Sequence, residues 1–163
     1  MTKPIVERLL INFKTLEHFK KFKEYGIQEL AMYDDLQENI IENDSESPFY
    51  GIYYGDKLVA RMSLYKIDKD HDHYFEPPQD YYELWKLEVL PMFRERGFGS
   101  ALVNHAKTLG FPIKTNARQG SNDFWLKLGF EPVTYHESRD RGENPYVWYP
   151  EGVKEQQPTI KKT

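Results

Sequence analysis

The stretch that most constrains this chain is residues 81–110, YYELWKLEVLPMFRERGFGSALVNHAKTLG, which reads as a strand, a glycine-hinged basic turn and a helix. Phe98, Ala101, Leu102, His105 and Leu109 recur at helical spacing, just after a turn that holds Arg94, Arg96, Gly97 and Gly99. A strand that passes through such a turn into a helix presents unpaired backbone N–H groups and the positive end of the helix dipole, here with two guanidinium groups beside them. Gly97 and Gly99 let the backbone turn and approach a ligand without a Cβ in the way. The pattern predicts a phosphate site. It is not a P-loop, since Gly97 to Ser100 lacks Gly-Lys-Ser/Thr, and G-x-G-x-x-G is incomplete because position 102 is Leu.

Composition narrows the choice of ligand. A formal charge of −4 and a pI near 5.8 argue against general nucleic-acid binding, so the basic turn suits a small anion. With no cysteine, the chain has neither a disulfide nor a thiolate nucleophile nor a cysteine zinc site. No apolar run approaches the roughly 18 residues of a membrane span, and MTKPIVERLL lacks the basic flank and apolar stretch of a signal peptide. The expectation is a cytoplasmic protein with no membrane and no nucleic-acid partner. Its 163 residues, 39% apolar and 15% aromatic, suit one domain over residues 1–150, followed by a polar, mobile tail over 151–163.

The spacing Arg94-x-x-Gly97-x-Gly99 resembles the Arg/Gln-x-x-Gly-x-Gly/Ala signature of the GNAT superfamily of acyl-CoA-dependent N-acetyltransferases. The resemblance extends upstream to Leu87-Glu88-Val89-Leu90-Pro91, like the end of that family's fourth strand. Downstream it extends over Ala117 to Phe130, ARQGSNDFWLKLGF, like its second motif. It implies an α/β (α+β) fold with a mixed, mainly antiparallel sheet of about seven strands, splayed at the central strand and flanked by about four helices. It also implies acetyl-CoA or CoA as co-substrate, held by Leu87, Val89, Arg94, Glu95, Arg96, Gly97, Phe98, Gly99, Ser100, Asn116, Ser121, Phe124 and Trp125, with no metal required. The acceptor it implies is a primary amine on a small molecule or peptide. Dimers are common among proteins of this resemblance, which leaves a homodimer open.

In chain order, residues 5–13 read as a first strand. Thr15 reads as an N-cap, with Leu16, Phe19 and Phe22 forming a helical stripe that Gly26 ends. Ile27, Leu30 and Ala31 start a second helix, which either continues through Leu36, Ile40 and Ile41 or is broken at Asp34-Asp35. Between Glu24 and Asp56 there is no lysine or arginine, while Asp34, Asp35, Glu38, Glu42, Asp44 and Glu46 accumulate, which is either a solvated face or a lip that steers a cationic acceptor. Two β-rich runs around Gly55-Asp56 predict a hairpin, with Leu58, Ala60, Met62 and Leu64 on its apolar face. Residues 67–80 read as a loop that lines the acceptor site. A metal reading of His71, Asp72, His73 and Glu76 needs an extended loop. Residues 111–116 read as a strand and 121–128 as a helix. EPVTYHE and NPYVWYP read as the last two strands.

On strand 81–90, strict alternation puts Glu83 with Trp85, Leu87 and Val89, although a bulge of the kind the family carries there would shift the faces. Glu83 falls where several histone-type members carry a glutamate base. An ammonium with a reference pKa of about 10.4 needs such a carboxylate to take its proton. Glu88 and Glu76 are lesser candidates. The family commonly has a tyrosine where this chain has Trp125, and an indole cannot protonate a leaving thiolate. Ser121, Tyr135, Tyr146 or water would take that role, or the thiolate leaves without help. A domain that binds acyl-CoA without catalysis is the competing reading.

Overall fold

The computed structural model describes residues 4–10, 13–19, 22, 48–72, 74–76, 78–118, 120–150 and 159–160. The predicted helix over 27–41, the acidic run Asp34 to Glu46 and His73 lie outside these residues. The chain divides into two compact units, Met1–Ser63 with Lys86–Leu102, and Leu64–Trp85 with Val103–Thr163. Seven strands form one mixed sheet, in the spatial order Glu7–Arg8, Phe49–Tyr54, Lys57–Ile67, Tyr81–Val89, Ile113–Asn116, Pro145–Trp148 and Glu131–Pro132.

In the first unit, β1 is only Glu7–Arg8, and it pairs antiparallel with β2, Phe49–Tyr54. The expected longer first strand yields to α1, Phe13–Phe19, so Thr15 is inside the helix and not its N-cap. Its hydroxyl instead donates to the Leu10 carbonyl at 2.6 Å. β2 turns through Gly55, at φ +64°, into β3, Lys57–Ile67, the hairpin expected from a glycine at the first central position. Leu9, Phe22, Phe49, Leu58 and Leu90 form the core of this unit.

The expected two-faced pattern of β3 does not hold, because Leu58 to Leu64 are all buried. Arg61 is 1% exposed, and its guanidinium finds compensation 3.4 Å away in the Glu88 carboxylate and over the Phe22 ring, 5.3 Å from its centroid.

The second unit is built around Tyr74, Phe75, Tyr81 and Val147, with Ile67, Val133 and Tyr149 packed against them. β5, Tyr81–Val89, pairs parallel with β6, Ile113–Asn116, through Tyr82↔Ile113, Glu83↔Lys114 and Leu84↔Thr115. That ladder stops at Leu84 although β5 continues to Val89. α2, Phe98–Lys107, fully buries Leu102, Val103 and Ala106 along one stripe. α3 is Asn122–Lys127, with β7, Glu131–Pro132, and β8, Pro145–Trp148, following it. Between those strands Glu137–Asp140 forms the short α4, and the Asp140 carboxylate reaches back to accept the His136 N–H at 2.8 Å.

Residues 67–80 are not structureless. Asp72, 6% exposed, accepts from the N–H groups of Tyr74 at 2.7 Å, Phe75 at 3.1 Å and Gln79 at 2.9 Å. One carboxylate thus satisfies three amides, which folds the loop back on itself. β4, Phe75–Glu76, pairs antiparallel with β9, Thr159–Ile160, inside the stretch expected to be a mobile tail. No helix of the described residues is long and apolar enough to cross a membrane.

Candidate functional site

The basic turn lies in the first unit. A short 3₁₀ segment, Pro91–Phe93, leads from β5 into Arg94, and two residues then take positive φ, Glu95 at 64° and Gly97 at 83°. For Glu95 this is a strained conformation that an L side chain rarely adopts. A Cβ built on Gly97 would meet nothing within 4 Å, so its left-handed backbone and not crowding is what calls for glycine. α2 begins at Phe98, and the Ala101 N–H donates to the Gly97 carbonyl at 2.9 Å. The first turn therefore leaves the amides of Phe98, Gly99 and Ser100 without helical acceptors, at the positive end of a ten-residue helix.

The two arginines have different surroundings. Arg94 donates from Nε to the Val89 carbonyl at 3.0 Å, tying the turn to the end of β5. Arg96 is exposed, with its guanidinium 5.1 Å above the centroid of Phe93. Leu87 and Val89 are partly buried on β5, while the intervening Glu88 is consumed by its buried pair with Arg61. Glu88, a lesser candidate base, thus has a structural partner.

The second unit carries the other expected residues. Glu83 Oε1 lies 3.5 Å from Lys114 Nζ, with side-chain exposures of 21% and 12%. Lys114 also stands over the Tyr74 ring, 4.5 Å from its centroid. Asn116 is exposed at the end of β6 and Ser121 precedes α3, its hydroxyl donating to the Arg118 carbonyl at 2.7 Å. Trp125 is buried, with its ring edge-on to Phe124 at 5.0 Å and Phe130 at 5.1 Å, an arrangement of aromatic packing.

Of the groups that could replace a general-acid tyrosine, Tyr135 is committed elsewhere. It donates to Glu137 Oε2 at 2.8 Å and accepts from the Gly142 N–H at 2.7 Å, and the bond to Glu137 raises its pKa above the ordinary tyrosine value. Tyr146 is buried on β8. Among the described residues no group of three or more His, Asp or Glu side chains is placed to hold a metal.

Sequence reasoning missed two features. The Lys114 partner of Glu83 depends on the parallel β5–β6 register, which no local pattern announces. A cleft of about 310 Å³ in the first unit is lined by Glu7, Arg8, Lys14, Tyr53 and Asp56 among others, and by none of the expected site residues.

A sequence profile of the Acetyltransferase (GNAT) family matches residues 12–130. An uncharacterized N-acetyltransferase of Shouchella clausii is 71% identical over 151 residues, covering 93% of this chain and 92% of that one. The crystal structure of the Bacillus subtilis N-acetyltransferase YlbP in complex with coenzyme A superposes with a TM-score of 0.79 at 62% identity, over 91% of this chain and 97% of that one. The PaiA N-acetyltransferase of Thermoplasma acidophilum shares the fold at 15% identity, with a TM-score of 0.64 over 91% and 99% of the two chains.

Proposed function

The chain belongs to the GNAT family of N-acetyltransferases, and on that premise we propose that it moves an acetyl group from acetyl-CoA to a primary amine by direct attack within a ternary complex. The observation that carries this reading is the Arg94–Ser100 turn. Its positive-φ residues open α2 onto three amides that a pyrophosphate fits, in a chain 62% identical to a protein crystallised with coenzyme A.

Acetyl-CoA supplies an acyl group already activated as a thioester. The chain supplies the rest. The amides of Phe98, Gly99 and Ser100 take the pyrophosphate. Arg96, together with whatever of Arg94 is not committed to Val89, contributes about 1.5–3 kcal/mol per charged hydrogen bond. Glu95 shapes the turn through its positive φ. Leu87 and Val89 line the acyl arm, and a backbone N–H of this stretch polarises the carbonyl. Asn116, Ser121, Phe124 and Trp125 complete the cofactor-binding set. Glu83 takes the proton of the acceptor amine, and Lys114 orients its carboxylate. Holding both substrates in one complex supplies much of the rate.

The test is calorimetric titration of the chain with acetyl-CoA and CoA, followed by CoA release with a panel of amines. Micromolar binding that Arg96→Ala weakens, with turnover that Glu83→Gln lowers about 10²–10⁴-fold while CoA still binds, supports the proposal. A well-folded chain that does not bind CoA overturns it. Undiminished turnover in Glu83→Gln removes that residue as the base.

A further inference from the structure

Trp85 lies on β5 with 51% of its surface exposed. A ring of that size gains most when it is covered, which raises the question of what covers it. Two strands of the second unit locate it. On β3, Tyr65 and Ile67 are two residues apart and share a face, and Ile67 packs against Tyr74, Phe75, Tyr81 and Val147. On β5, alternation puts Tyr81, Glu83 and Trp85 on one face, and Tyr81 belongs to that same cluster. The Trp85 ring lies 5.3 Å from the Tyr65 ring, tilted by 60°, as the common face requires. Lys114 reaches Glu83 on that face from β6. The second unit therefore carries an aromatic pair, Trp85 half-exposed and Tyr65 partly buried, beside the carboxylate proposed to receive the acceptor ammonium.

We infer that Trp85 and Tyr65 seat the acceptor, and that the acceptor is a primary amine carrying a flat, unsaturated ring a few methylenes from its nitrogen. The inference rests on Glu83 as the acceptor-side carboxylate. Lys114 engages Oε1, which leaves Oε2 for the incoming ammonium. Residues two apart on a strand are separated by about 6.6 Å, so an ammonium at Glu83 places a substituent over Trp85 when two or three methylenes join them. Two aromatic rings tilted against each other offer an edge and a face to a third ring, and offer a saturated chain only area. A second cation over Trp85 is the less suitable occupant, because Lys114 already places one positive charge beside Glu83.

The experiment uses the full chain saturated with CoA, titrated with phenethylamine and with its saturated counterpart cyclohexylethylamine. The expected result is tighter binding of phenethylamine by roughly three- to tenfold. Trp85→Ala removes the preference and Trp85→Phe keeps it, with CoA affinity unchanged in both. In steady-state transfer, Trp85→Ala raises the phenethylamine KM while kcat holds. Equal affinity for the two amines, or a preference that survives Trp85→Ala, overturns the inference and leaves the transferase reading standing. Ring-selective binding without transfer supports the seat and counts against Glu83 as base. Failure to bind CoA at all removes both.

Discussion

Glu88 and Arg61 form an ion pair of 3.4 Å whose side chains are 3% and 1% exposed. Neither charge is stable there alone, because removing one partner leaves the other desolvated without compensation. Glu88→Gln is expected to cost about 3–5 kcal/mol of folding stability in urea unfolding, while the apolar pair Arg61→Met with Glu88→Leu recovers most of that loss. Turnover per folded molecule should change little in the double variant. A large loss of kcat with unchanged stability would instead give Glu88 a chemical role.

Gly97 sits at φ +83° with open space around the position of a Cβ. Gly97→Ala should therefore cost about 1–2 kcal/mol of stability through backbone conformation alone. Gly97→Glu adds a negative charge where phosphates are to bind, and should abolish CoA binding in calorimetry at a similar cost in stability. Equal CoA affinity in wild type and Gly97→Glu would move the cofactor away from this turn.

Arg94 and Arg96 should separate in experiment. Arg94→Ala removes the bond to the Val89 carbonyl, so it is expected to lower both stability and CoA affinity. Among the described residues, the Phe93 ring is what the Arg96 guanidinium rests on. Arg96→Ala should weaken CoA by about 10–100-fold with little change in the unfolding midpoint. Because the contact is ionic, the difference between wild type and Arg96→Ala should shrink as salt is raised.

Alkaline pH should loosen the second unit. Burial, followed by the nearby Glu131 carboxylate, pushes the Tyr149 hydroxyl up to about 12 from an ordinary 10.0. Tyr81 is raised by burial, then by Glu83 and Asp72. In each case the folded state holds its proton more tightly than the unfolded state does. The stabilisation is complete below pH 10 and is lost as pH rises through the folded values. Urea midpoints measured from neutral to strongly alkaline pH should fall above pH 10, and Tyr149→Phe should fall less steeply. A midpoint that stays flat would contradict this.

What could be read from sequence was what depends on neighbours along the chain. The Gly97 turn, the Gly55 hairpin and the stripe of α2 all follow from local φ preference and periodicity, and each has its expected place. The misplaced features depend on distant partners. Thr15 looks like a cap until α1 is seen to begin at Phe13. Nothing beside Arg61 in the chain announces that Glu88, 27 positions on, is its partner. Lys114 is an ordinary strand lysine until the β5–β6 register sets it against Glu83. Trp125 could be named as a departure from the family pattern, but its packing against Phe124 and Phe130 could not be measured from sequence.

The pairing of Phe75–Glu76 with Thr159–Ile160 makes the last described residues an architectural part of the loop that Asp72 organises. A chain shortened to Pro150, or one whose C-terminal residues are displaced by a bulky fusion, strips a strand from beside Phe75, a ring that is 1% exposed and packs on Tyr81 at 4.9 Å. The two residues Thr159–Ile160 thus carry a share of the order around Phe75 out of proportion to their number.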